Sequence, residues 1–217
     1  MNKLYGAWRT RVQRGVMALL MALVFSASAT AAPARTVLVL GDSLSAGYGL
    51  AATNQGWVSL TAQKMRASHP GWRVVNASIS GETTAGGAAR IGAELKRSKP
   101  AVVVVELGAN DGLRGLSLEQ TRGNLDRIIR SATSSGAKVL LVGMRLPPNF
   151  GAPYTQGFEK NFVDLSKRHR TAFLPFLLAP IAADRNNFQA DNMHPVAAAQ
   201  PRLRDHVWPA LVPLLNP

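Results

Sequence analysis

The chain has no cysteine. No disulfide can hold the fold together, and a cysteine-linked lipid anchor is excluded, so a packed core must carry the stability. Acidic residues are scarce, 12 against 25 Lys and Arg, which gives a formal charge of +13. The cations are scattered, with no tract of five and no interleaved aromatics, so a nucleic-acid partner is not expected; a weak attraction to anionic lipid surfaces or acidic substrates is. No apolar run approaches the roughly 20 residues that span a bilayer. Neither a Gly-x-Gly-x-x-Gly nor a Walker-type loop occurs, and no second histidine stands at metal-ligand spacing from another. No nucleotide cofactor, other cofactor or metal is expected.

What is present begins with a leader pattern. Lys3, Arg9, Arg11 and Arg14 precede the apolar run Val16–Phe25, and small residues follow up to Ala32. This order predicts a secretory signal over residues 1–31, cleaved between Ala31 and Ala32. Residues 32–217 then form a single domain, carrying about nine positive charges. The expected location is periplasmic or secreted, with no stable membrane insertion after cleavage and a monomeric state.

Beyond the leader, short β-rich runs alternate with longer helical patterns. Thr36–Leu40, Arg73–Ala77, Ala101–Leu107, Lys138–Met144 and Thr171–Phe176 read as strands. Trp57–Ser68, Thr84–Ser98, Ser117–Ser135 and Tyr154–Arg170 read as helices, with a further helix after Pro195. Thr83 or Thr84 and Ser117 are candidate N-caps. Continuous apolar strands separated by helices predict an α/β fold with a parallel sheet covered on both faces. No repeat or interdomain linker interrupts it. In such a sheet, residues just beyond strand ends converge on one edge.

Four places at those ends carry chemistry. Ser43 follows the first strand in Gly41-Asp42-Ser43-Leu44. Gly81 lies in the turn after the second strand, and Asn110 follows the third. Asp191 stands three residues before His194, in Asp191-Asn192-Met193-His194-Pro195. Taken singly, each has a plain structural reading: a helix cap, a turn glycine, a turn asparagine, a loop Asp and a surface His. Together they supply a nucleophile, a base with an orienting acid, and oxyanion donors from Ser43 N–H, Gly81 N–H and the Asn110 amide. The other histidines, His69, His169 and His206, are expected to be solvated surface residues.

These blocks, in this order, resemble the SGNH (GDSL) hydrolases, and most of all their bacterial acyl thioesterase, lysophospholipase and arylesterase branch. Leu40–Tyr48, Val75–Gly81 and Val105–Gly115 carry the likeness, which covers nearly all of residues 32–217. It implies a three-layer α/β/α sandwich on a five-stranded parallel sheet, of flavodoxin-like type. It implies Ser43, Asp191 and His194 as the catalytic triad and Ser43, Gly81 and Asn110 as the oxyanion hole. It also implies a loop at Gly112–Ser117 that moves on substrate binding, and an influence of Leu146 on acyl-chain preference. Asn192 departs from a frequent glycine, although Asn tolerates unusual backbone angles. The expected activity is hydrolysis of carboxylic esters, acyl thioesters and lysophospholipids through an acyl-enzyme on Ser43. The alternative is a carbohydrate O-acetylesterase built on the same blocks. Leu113, Leu116, Leu146 and Phe150 are the candidate acyl-groove residues.

Overall fold

The computed structural model describes residues 34–216; the expected leader and its cleavage point lie outside them. Strand β1 (Arg35–Gly41) is apolar from Val37 to Leu40 because both of its faces are covered, and those four side chains are buried. β2 (Trp72–Asn76), β3 (Val102–Glu106), β4 (Lys138–Val142) and β5 (Ala172–Leu174) join it in an all-parallel sheet of order β2-β1-β3-β4-β5. β5 is shorter than its sequence suggests. Pro175 follows it, has no N–H, and cannot extend the ladder.

The helices are α1 (Ser43–Ala46), α2 (Trp57–Ser68), α3 (Thr84–Ser98), α4 (Ala109–Leu113), α5 (Leu118–Ser134), α6 (Ala152–His169) and α7 (Gln200–Leu215). α3, α5 and α6 pack side by side on one face of the sheet, and α2 and α7 on the other. This is the three-layer α/β/α arrangement expected from the strand pattern. Leu125, Ile128 and Ile129 of α5 and Phe158 and Phe162 of α6 are buried in one core layer, Met65 of α2 and Leu203 and Val207 of α7 in the other. Ser117 caps α5 by accepting from the Gln120 N–H at 3.3 Å, and Thr83 caps α3. Residues 34 onward form one compact unit. No helix among the described residues is long and apolar enough to cross a membrane.

Strand order reverses between β1 and β3, because β1 has β2 on one side and β3 on the other. A crevice opens beyond the carboxyl ends at such a switch point. The register pairs Gly41 with Glu106, so the turns that follow β1 and β3 face each other across that crevice.

Candidate active site

The turn after β1 is built to leave a serine hydroxyl unused. Asp42, not Ser43, caps α1: its Oδ1 accepts the Leu44 N–H at 3.0 Å. The cap reading of Ser43 is thereby overturned, and its Oγ is free to lie 2.8 Å from His194 Nε2. The turn is pinned from β3. The Glu106 carboxylate accepts from the Ser45 hydroxyl at 2.5 Å and from the Asp42 N–H at 3.4 Å. A Cβ on Gly41 would meet Ser45 Cβ and Oγ at 2.7 Å and Glu106 Oε2 at 2.8 Å, so only glycine allows this approach.

His194 is carried by a tight loop. Asp191 Oδ2 lies 2.7 Å from His194 Nδ1, while Oδ1 accepts the Met193 and His194 N–H groups at 2.9 and 3.0 Å. The histidine bond and the two backbone bonds hold the Asp191 carboxyl down at about 2, so it is ionised at neutral pH. An ionised acceptor requires the proton of a neutral imidazole to sit on Nδ1, which leaves Nε2 to accept from Ser43. Asn192 takes φ 61°, the left-handed region that Asn tolerates and that a frequent glycine at this position would also suit. Gln189 braces the loop. Its N–H donates to His194 O at 2.8 Å, and its side-chain amide donates to Tyr48 O at 2.8 Å. The Tyr48 ring packs against the His194 ring, with centroids 4.5 Å apart.

Two further donors face the same space. Gly81 has φ 80°, and its carbonyl is held by Arg114 Nη2 at 3.1 Å. Among the described residues, neither the Gly81 nor the Ser43 N–H has a hydrogen-bond partner. Asn110 lies in α4, and its Nδ2 donates to Asp42 Oδ2 at 3.2 Å. α4 is locked by buried Asp111, which accepts from the Thr84 N–H at 2.8 Å and the Thr84 hydroxyl at 2.5 Å. Burial pushes the Asp42 carboxyl up to about 6, and burial followed by the Asp42 charge pushes Glu106 well above the usual carboxyl range.

Ser43, Gly81, Asn110 and His194 all line one pocket of about 370 Å³. Its walls are mostly apolar: Leu113 and Leu146 as expected, joined by Met144, Leu178, Phe188 and Met193. Leu116 and Phe150, expected in the groove, do not line it. Each follows or precedes a glycine with positive φ, Gly115 at 64° and Gly151 at 82°, which redirects the chain. Both meet Tyr154 instead: its hydroxyl donates to Leu116 O at 2.7 Å and its ring stacks on Phe150 at 6.4 Å. The pocket residues that sequence reasoning missed lie in loops whose apolar letters carry no period. The three remaining histidines are half-buried rather than solvated. His169 pairs with Asp126 at 2.7 Å, His206 Nε2 meets Phe176 O at 3.0 Å, and His69 sits edge-on against Trp208. Among the described residues, no group of three His, Cys, Asp or Glu is placed to hold a metal ion.

The geometry has what acyl transfer needs: a hydroxyl facing an imidazole, an ionised acid behind it, and free donors around a mostly apolar pocket. Comparison with known proteins agrees. The family model for the GDSL-like lipase/acylhydrolase family matches residues 39–200. Esterase TesA of Pseudomonas aeruginosa is 49% identical over 184 residues, covering 85% of this chain and 91% of that protein. Thioesterase 1/protease 1/lysophospholipase L1 of Escherichia coli is 41% identical over 186 residues, covering 86% and 88%. The crystal structure of the psychrotrophic esterase EstA from a Pseudoalteromonas species, inhibited by monoethylphosphonate, superimposes with a TM-score of 0.80 at 37% identity, covering 84% of this chain and 100% of that one. The chain belongs to the GDSL-like lipase/acylhydrolase family and is an ester hydrolase.

Proposed function

We propose that Ser43 is the nucleophile of a two-step acyl transfer, with His194 as its base and Asp191 as the acid that orients it. The observation that carries this reading is the unbroken relay from Ser43 Oγ through His194, 2.8 Å on one side and 2.7 Å on the other, at the wall of an apolar pocket. Ser43 Oγ attacks the substrate carbonyl while His194 Nε2 takes its proton. The oxyanion that forms accepts from the Ser43 and Gly81 N–H groups and the second N–H of the Asn110 amide. His194 returns the proton to the departing alcohol or thiol. Water, deprotonated by the same nitrogen, then cleaves the acyl-enzyme.

The substrates are carboxylic esters, acyl thioesters and lysophospholipids whose acyl chain lies against Leu113, Leu146, Met144 and Leu178. The lining favours an acyl chain over a bare acetyl group, since it is mostly apolar and includes four aliphatic side chains and Phe188. The protein acts as an exported, periplasmic or secreted monomer; the leader pattern of residues 1–31 supports export. The test is hydrolysis of p-nitrophenyl esters from acetyl to palmitoyl by the purified protein and its Ser43→Ala variant. Activity on chains longer than acetyl, lost in the variant, is the expected result. Activity surviving in Ser43→Ala overturns the nucleophile, and an acetyl optimum overturns the substrate class.

A further inference from the structure

The five parallel strands all begin at one edge of the sheet, and the long helices, running back against them, all end there. That edge is opposite the pocket and strongly basic. Arg35, Arg73 and Lys138 stand at or beside the first residues of β1, β2 and β4. Arg66, Lys96, Arg97, Lys167 and Arg168 occupy the last turns of α2, α3 and α6. Lys99 and Arg170 form the C-caps of α3 and α6. All ten are exposed. Arg97 pairs with Glu94 and Arg168 with Asp126; the other eight make no ion pair among the described residues.

Complementing helix dipoles accounts for the cations in the last helical turns. It does not account for those at strand starts, nor for the two caps. Lys99 and Arg170 hold φ 42° and 51°, the left-handed cap geometry that ordinarily takes Gly or Asn. A long cation at a strained cap costs the fold and adds charge to this edge. The sheet alone is about 20 Å wide there, and helices flank it on both sides, so the cations spread over a broad, shallow face rather than along a groove.

We propose that this edge docks electrostatically on an anionic lipid bilayer. A charged plane suits a flat, two-dimensional spread of cations; Trp72, at the start of β2, is buried and covered by Arg35 at 4.4 Å, so it offers no ring for a base to stack on. Once docked, the protein turns its pocket away from the bilayer, toward the aqueous phase. Substrate then arrives as a dissolved monomer.

The experiment is co-sedimentation of the purified protein with vesicles of phosphatidylcholine containing 30% phosphatidylglycerol by design, and of phosphatidylcholine alone, at about 0.05 to 0.5 M salt. Each edge cation contributes about fivefold in affinity, so Lys96→Gln with Lys167→Gln weakens binding about 25-fold. Lys160→Gln with Arg185→Gln removes two exposed charges away from this edge and is the control; it leaves binding within a few-fold of wild type. Hydrolysis of a soluble aryl ester, unchanged in both double variants, verifies that they fold and separates this test from that of the catalytic assignment. Binding that is absent from anionic vesicles, equal on neutral ones, or weakened as much by the control pair overturns the proposal.

Discussion

Asn110 Nδ2 lies 3.2 Å from Asp42 Oδ2, so the carboxylate that immediately precedes Ser43 orients the amide proposed as an oxyanion donor. One amide hydrogen is committed to Asp42, and the other is left to face the pocket. The same carboxylate caps α1, and Glu106 grips the turn from behind. Ser43 and Asn110 therefore share one rigid support. Asn110→Ala removes the donor without disturbing Ser43, and kcat falls about 100- to 1000-fold with little change in KM. Steady-state kinetics on an aryl ester decides it; a loss confined to KM contradicts the oxyanion role.

The buried Asp42 carboxyl makes stability depend on pH in a stated direction. Its value is raised to about 6, from an ordinary 3.8, so between those limits the folded state holds a proton that the unfolded chain has lost. Asp42 thus costs stability as pH rises through this window, by up to about 3 kcal/mol. Carboxyls with lowered values, Asp191 and Asp126 among them, work the opposite way. The clean observable is the difference between variant and wild type. Asp42→Asn should gain on wild type in urea unfolding as pH rises from about 4 to 7, and a constant difference across that range contradicts the raised value.

The relay predicts a pattern among its members. Ser43→Ala and His194→Ala each lower kcat by roughly four orders of magnitude or more, and the double variant is no worse than either single one, because the groups act as a unit. Asp191→Asn keeps the loop but presents no carboxylate to Nδ1, and loses about 10⁴. Circular dichroism should show all four folded, since none of these side chains belongs to the apolar core. Additive losses in the double variant would mean that Ser43 and His194 serve separate steps.

Much of this was legible in the letters. Val37–Leu40 and Val102–Val105 are apolar without alternation because helices cover both faces of the sheet, and that alone gives strand type and layer number. α2 and α3 have the bounds that their helical spacing predicts. The five-residue α4 was not legible. Ala109–Leu113 contains Asn, Asp and Gly, poor helix formers, and it stands because buried Asp111 is tied to Thr84 across the molecule. Likewise, Leu178 and Phe188 reach the pocket only because long-range bonds set their loops: Leu177 N–H to Gly143 O, and the bridge between Phe188 and Pro195. Glu106 read simply as the end of a strand. Its grip on the turn that carries Ser43 follows from the register that sets it beside Gly41.

The contrast between Leu146 and Leu116 tests which residues measure the acyl chain. Leu146 is buried at the pocket wall, where its methyl groups also exclude a Cβ on Gly112. Leu116 is half-exposed and lies outside the pocket. Leu146→Ala removes three carbons from the wall, room for about three methylenes of substrate, each worth about 0.8 kcal/mol when buried, or nearly fourfold in kcat/KM. Its ester-length profile should shift toward longer chains, at a stability cost near the lower end of about 2–5 kcal/mol because the site is open on one side. Leu116→Ala should leave the profile where it is. Rate measurements across a p-nitrophenyl ester series separate the two. A shift in Leu116→Ala, or none in Leu146→Ala, would mean that the chain leaves the pocket over the loop that carries Leu116, which the Tyr154 hydroxyl holds from α6.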